Sequence, residues 1–387
     1  MQKRTLLVVS MVGLASAVFA CADIFGFKTL NETLADGQVP DGGSDVDTCD
    51  HATYPASTDA GASSSTTPLY FVLQHVYFST NPDGGASAVT GYDLDHACTT
   101  GASSSSCVTE DLQPNGYPIV DLAGGVDQES FALINQLTTQ GLTSSVATSL
   151  TDVAINASIA RGEFSVILTL KGYGGEANVT GLTLGVQASP GLMAAPPAFD
   201  GGDTWYVSVA DSVTPTNNFP NQTITMAYVT NNILVATQTD PVTLHVNVPT
   251  MLPEGGATEV NGPLTVILHS PIMTATIKQR TDGLYELTGG VIAGRWGVTD
   301  ALQAIGLLNT TDGTLCQDST GAVYALVAPY ICKGREILAS ANPDASAPCD
   351  ALSVAIGFDA VTTNIGDIPQ PYPVPDLDGG CMYTCNP

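Results

Sequence analysis

From Leu69 onward, apolar and polar residues alternate with a period of two, the spacing of strands with one face buried. The run FSVILTL sets Phe164, Val166, Leu168 and Leu170 on one face and Ser165, Thr169 and Lys171 on the other. LYFVLQHVYF, LTLGVQ, TITMAYV, NILVATQ, VTLHVNV, LTVILHS, MTATIKQ and LYELTGGVIAG repeat the pattern at short intervals. Turn sequences punctuate them, among them Pro82-Asp83-Gly84-Gly85, Asn231-Asn232 and Asp282-Gly283. Regular short strands predict a mainly β fold, an antiparallel β-sandwich or jelly roll with a few accessory helices.

The period changes to that of a helix in four places. ESFALINQLTTQ carries Phe131, Ile134 and Leu137, and SSVATSLTDVAINASIA carries Val146, Leu150 and Val153. A third helix is predicted from Asp300, whose side chain can cap while Gln303 reaches back, to Leu308. A fourth falls within Ala322 to Leu338, with Pro329 as a break or restart.

Four regions follow: a signal peptide (1–20), a tether (21–67), one β-sandwich-like domain (68–365) and a Pro-rich tail (366–387). The tether is rich in Asp, Gly, Ser and Thr and lacks enough apolar surface to offset its ordering entropy, so it is expected to be flexible, with Cys49 tying it down. The tail carries Pro369, Pro371, Pro373 and Pro375 and is expected to lie extended, stapled by Cys381 and Cys385.

At the N-terminus, Lys3 and Arg4 precede an apolar run from Thr5 to Ala20, too short for a membrane span of about 20 residues. Val18-Phe19-Ala20-Cys21 resembles the lipobox of bacterial lipoproteins, although Phe19 stands where a small or branched residue is usual. The resemblance covers the leader and tether alone. It implies acylation of Cys21 and attachment to a membrane through that lipid anchor. Ala22 after the cysteine points, in the same logic, to the outer membrane or cell surface. The rival is an A-x-A cleavage at Ala20-Cys21-Ala22, which releases a soluble protein from Asp23.

Charge narrows the partners. Without Lys3 and Arg4 the chain keeps 8 basic residues against 37 acidic ones, a balance of −29. Such a surface repels phosphate backbones, so no nucleic-acid partner is expected. The acidity serves solubility or attracts divalent cations. Charged residues are 12% of the chain, about half the usual share, a profile common in exported β-rich proteins.

Removing Cys21 leaves eight cysteines: Cys49, Cys98, Cys107, Cys316, Cys332, Cys349, Cys381 and Cys385. An even count in an exported chain predicts a disulfide-stapled domain. Three lie before residue 110 and five after 315, so full pairing requires at least one bridge between the two groups. Zinc is disfavoured, because Cys381-x3-Cys385 has no companion pair.

Catalytic motifs are absent from the sequence. There is no G-x-S-x-G elbow and no H-E-x-x-H, and His51, His75, His96, His245 and His269 are scattered, with His245 expected on a solvent-facing strand position. A structural calcium is the one cofactor reading: Asp93 and Asp95 in GYDLDHAC offer alternate hard oxygens, as do Asp45, Asp47 and Asp50, and Asp376 and Asp378. Trp205-Tyr206 and Trp296 could form a platform for stacking on a glycan, against the ordinary role of such residues in core packing. The N-x-S/T triplets at Asn31, Asn156, Asn178, Asn221 and Asn309 arise readily in so Thr/Ser-rich a chain. The expectation is therefore a lipid-anchored envelope protein that binds a glycan or protein ligand or plays a structural part. A secreted hydrolase acting on an extracellular polymer is the competing class.

Overall fold

The computed structural model describes residues 50–62, 65–78, 91–99, 106–108, 120–130, 132–133, 151–193, 196–214, 217–248, 260–310, 313–317, 322–342, 344–367, 369–370, 372 and 383–385. The alternating runs form β1 (Leu69–Tyr77), β2 (Ser165–Lys171) and β3 (Val179–Ser189). Next come the short β4 (Thr204–Trp205), β5 (Ser212–Thr214) and β6 (Asn217–Pro220), followed by β7 (Thr223–Thr230), β8 (Ile233–Thr237) and β9 (Val242–Val248). The remainder are β10 (Val260–Gln279), β11 (Tyr285–Gly297), β12 (Asn309–Thr310), β13 (Gly313–Thr314), β14 (Ala351–Thr362) and β15 (Asn364–Ile365).

The mainly β, antiparallel architecture is as the alternation implies, and its principal sheet closes on itself. In chain order, β1 pairs with β2, β2 with β3, β3 with β7, β7 with β8, β8 with β10, β10 with β11 and β11 with β14. β14 then returns to β1, with Phe71 opposite Thr362 and Tyr77 opposite Gly357. Eight antiparallel strands thus make a closed up-and-down barrel, which leaves no free edge in the ring.

Alternation fills the barrel. Phe71, Leu168, Leu170, Leu184, Leu234, Met273, Ile292, Leu352 and Phe358 belong to one buried apolar cluster. A barrel of eight strands has an interior about wide enough for such side chains. The opposite faces of the same strands are also covered. Val72, Ile167 and Val361 pack outside against Trp205 and Val207, and Ala293, Ala351 and Ala355 pack against Leu94 and Ile337.

β10 unites two runs that read separately in the sequence, LTVILHS and MTATIKQ. Ser270, at φ 46°, and Pro271 bend it and shift its register between His269 and Ile272. Before the bend it pairs with β9, and after it with β8. β14 has no clean alternation in its sequence, ALSVAIGFDAVT, because both of its faces are buried.

Among the described residues, three helices can be traced from end to end. The helix α1 (Asp152–Ala160) is capped by Thr151, whose hydroxyl accepts from Ala154 N–H. It buries Ala154, Ile155 and Ile159, whereas Val153, expected inward, is 73% exposed. Asn156 fastens it to β1 by donating to Val76 O and accepting from Val76 N–H. The helix α2 (Val298–Gly306) begins two residues before Asp300, with Gly297 at its N-cap, so Asp300 lies in the first turn and makes no cap bond. The helix α3 (Ala322–Lys333) continues through Pro329. Of ESFALINQLTTQ, residues 129–130 and 132–133 are described, and all four are helical. No helix among the described residues is long and apolar enough to cross a membrane.

Part of the expected tether lies among the described residues. Residues 50–62 pack on the folded body: Ala52 N–H donates to Gly124 O, Tyr228 Oη–H to Pro55 O, and Ala62 bridges Thr180. Local apolar content underestimates such a segment because its backbone supplies the bonds. Two disulfides have both ends described, Cys107–Cys349 and Cys332–Cys385. The first is a bridge between the two cysteine groups, as parity requires. Cys98 and Cys316 are disulfide-bonded as well. Cys21, Cys49, Cys381 and the leader lie outside the described residues.

Candidate functional site

The outer face of β11 and β14 carries the largest group of buried charges in the described residues. Arg295 of β11 stands opposite Ser353 of β14, and both point away from the barrel core. Residues 91–97, 120–129 and Glu336 close over them. Gly91 makes the close approach possible: a Cβ there would sit 2.6 Å from Val126 Cγ1 and 3.2 Å from Ala355 Cβ. Its φ of 144° is also one that side chains rarely adopt.

Into this layer come Asp93, Asp95, Asp127, Glu129 and Glu336, all buried, with half-buried Asp121 beside them. Asp93 accepts from His96 N–H at 2.6 Å and pairs with His51. Asp95 accepts from Ala97 N–H at 2.9 Å and from Ser106 Oγ–H at 2.8 Å. Asp127, 1% exposed, accepts from Leu94 N–H at 2.6 Å. Glu336 accepts from Ser353 N–H and Oγ–H, and Ser353 Oγ accepts from Glu129 N–H at 2.7 Å. Arg295 donates to Leu94 O.

One guanidinium cannot balance so many carboxylates in a dry layer, so burial drives their protonation. Burial, reinforced by Glu336, Asp95 and Asp121, holds the Asp127 carboxyl well above the ordinary carboxylate range. Burial does the same for Glu336, with Glu129 adding to it. Asp95 is raised by burial and by Asp93, against the Ser106 hydrogen bond. Burial lowers Arg295, offset by Asp127, Asp95 and Asp93.

The Asp93/Asp95 pair singled out for calcium is thereby joined by Asp127. One oxygen from each of the three lies within 4.8 Å of the others, and Asp121, Asp127 and Glu336 form a second such trio. These spacings suit an oxygen-ligated cation, and protons on Asp127, Glu336 and Asp95 would neutralise the same group without one. Asp50 is exposed, and Asp45, Asp47, Asp376 and Asp378 lie outside the described residues.

The aromatic platform is not assembled. Trp205 is 0% exposed beneath Phe199 and Trp296 is 7% exposed within the barrel core, so neither offers a ring face to a sugar. Tyr206 alone is half-buried. The usual packing role of large aromatics prevails.

A second polar group was not legible in the sequence. His245, expected to face solvent, is buried and its Nδ1 lies 2.8 Å from Asp211 Oδ1. The segment around Asp211 fills the space beside β3 and β9, which explains the burial: Asp211 Oδ2 accepts from Ala188 N–H of β3 at 2.8 Å. The chain matches no protein-family model, no curated protein and no solved structure.

Proposed function

We propose that this is an extracytoplasmic protein of the cell envelope, anchored through a lipid on Cys21, that binds a glycan or protein partner or braces the envelope. The observation that carries the reading is the pair of disulfides Cys107–Cys349 and Cys332–Cys385, since such crosslinks persist in oxidising compartments. The lipobox-like leader supplies the anchor. The sealed carboxylate layer supports a holding role: its acids are fixed by backbone and hydroxyl donors beneath a covering segment, and not set in an open cleft.

Cys21→Ser expressed in a Gram-negative host should move the protein from the membrane fraction to the soluble one. Unchanged membrane association overturns the anchor. The holding role is tested by sedimenting the purified chain with isolated cell-wall polymer. Co-sedimentation without release of soluble fragments supports it, and fragment release favours the hydrolase class.

A further inference from the structure

A solvent-open cavity of about 640 Å³ lies beside the Cys107–Cys349 bridge. Leu338, packed against the bridge and 9% exposed, gives it an apolar base, and Ala347 adds to that lining. Ser340, Asn342, Asp344 and Asp350 supply its polar groups. Clefts that bind ligands combine a volume of about 300–1,000 Å³ with an apolar lining and a few placed polar groups.

Each carboxylate here is held by one oxygen and offers the other. Asp350 Oδ1 accepts from Ala339 N–H at 2.7 Å. Asp344 Oδ1 accepts from Ser346 N–H at 2.9 Å and from Ser346 Oγ–H at 2.6 Å. Neither Oδ2 has a hydrogen bond or ion pair among the described residues. The Ser346 bonds hold Asp344 below the ordinary carboxylate range, so it is charged at neutral pH. The backbone beneath is braced as well: Asp350 N–H donates to Ile337 O at 3.2 Å, and Asp350 O accepts from Val298 N–H at 2.9 Å. Such a site is ordered before anything binds, which lowers the entropic cost of binding.

Two unpaired negative charges in a cleft focus a potential that attracts cations. A bare metal ion needs about six to eight oxygens and would leave the apolar base and most of the volume unused. A cation on an aliphatic stem uses both parts. Val108, 44% exposed, adjoins the cleft through its N–H bond to Ala347 O and carries the apolar surface outward, as contact with a protein requires. We propose that this cleft docks a lysine side chain from a basic segment of a protein partner, the ammonium on Asp344 and Asp350 and the stem over Leu338 and Ala347. The site rests on the partner-binding reading above and gives that partner a chemical class.

Calorimetric titration of the full chain with acetylated and amidated Ala-Lys-Ala-Lys-Ala, at about 20 mM salt, measures the affinity. Combining Asp344→Asn with Asp350→Asn should raise Kd about 5–30-fold, the effect of losing two charge pairs at an open site. Combining Asp59→Asn with Asp240→Asn, both exposed and remote in sequence, should raise it less than about 2-fold and so isolates the cleft from the general acidity. Asparagine keeps an acceptor for Ala339 N–H, so the melting temperature should hold. If the cleft double variant fails to fold, Asp344→Asn alone decides, with an expected rise of about 2–5-fold. Equal effects of the two double variants overturn the proposal, as does an unchanged Kd in Asp344→Asn. Displacement of the peptide by an equal concentration of cadaverine also overturns it, in favour of a small diamine. A wild type that ignores the peptide yet sediments with cell-wall polymer overturns this site and leaves the envelope role standing.

Discussion

Asp127 and Glu336 bring carboxylate oxygens within 4.8 Å of each other, with Asp121 beside them, although they belong to distant parts of the chain. Both carboxyls are raised by burial, so the native state holds more protons than the unfolded chain above about pH 4, where exposed carboxylates titrate. Their contribution to stability is complete below that pH and declines as pH rises through their raised values. In EDTA, the melting temperature should fall by a few degrees between pH 5 and pH 8. Asp127→Asn or Glu336→Gln should flatten that slope, and equal slopes in wild type and variants would refute the account.

The same sample decides between protons and a cation. At pH 8, a rise of several degrees with millimolar calcium chloride, but not with sodium chloride of equal ionic strength, identifies Asp93, Asp95 and Asp127 as ligands. No change assigns neutralisation to protons.

The Cys107–Cys349 bridge spans a sequence separation of 242 and pins the covering segment beside Glu336. Replacing both cysteines by serine should cost about 3–5 kcal/mol in denaturant unfolding. A loss below about 1 kcal/mol would mean that packing alone holds the layer.

Gly290 of β11 lies opposite Phe358 of β14, and a Cβ there would come within 2.4 Å of the phenyl ring. Gly290→Ala should destabilise by about 1–3 kcal/mol through overpacking. The ring is central to the barrel core, so an unperturbed melting temperature would show that Phe358 can swing aside.

Trp205 and Trp296 are both buried, so intrinsic fluorescence should be blue-shifted and weakly quenched by iodide. Soluble glycans should leave it unchanged. Strong iodide quenching would restore an exposed platform.

The strands were readable where alternate positions are polar, as Thr243, His245 and Asn247 are in β9. β14 was not, because Leu94 and Ile337 bury its outer face and erase the alternation. The carboxylate layer was half readable. GYDLDHAC drew attention through its paired aspartates, while DLAGGVDQE, with Asp121, Asp127 and Glu129 around a Gly-Gly turn, carried the same signal unremarked. Glu336 and Arg295 gave no local sign, since only the fold brings them to Asp127. His245 misled for a related reason: its polar strand face is covered by Asp211, which arrives from a loop between β4 and β5.

Seven of the ring's eight seams join strands in the order in which they are made, while the eighth joins the first, β1, to the last, β14. A chain emerging from its N-terminus therefore carries β1 with one edge unpaired until residues 351–362 have followed. Everything between them must be in place before that seam can shut, so the closing step carries the largest loop entropy and should dominate the folding time. Truncation anywhere before β14 leaves an open, sticky sheet, and a ribosome stalled there makes a product for proteases to clear.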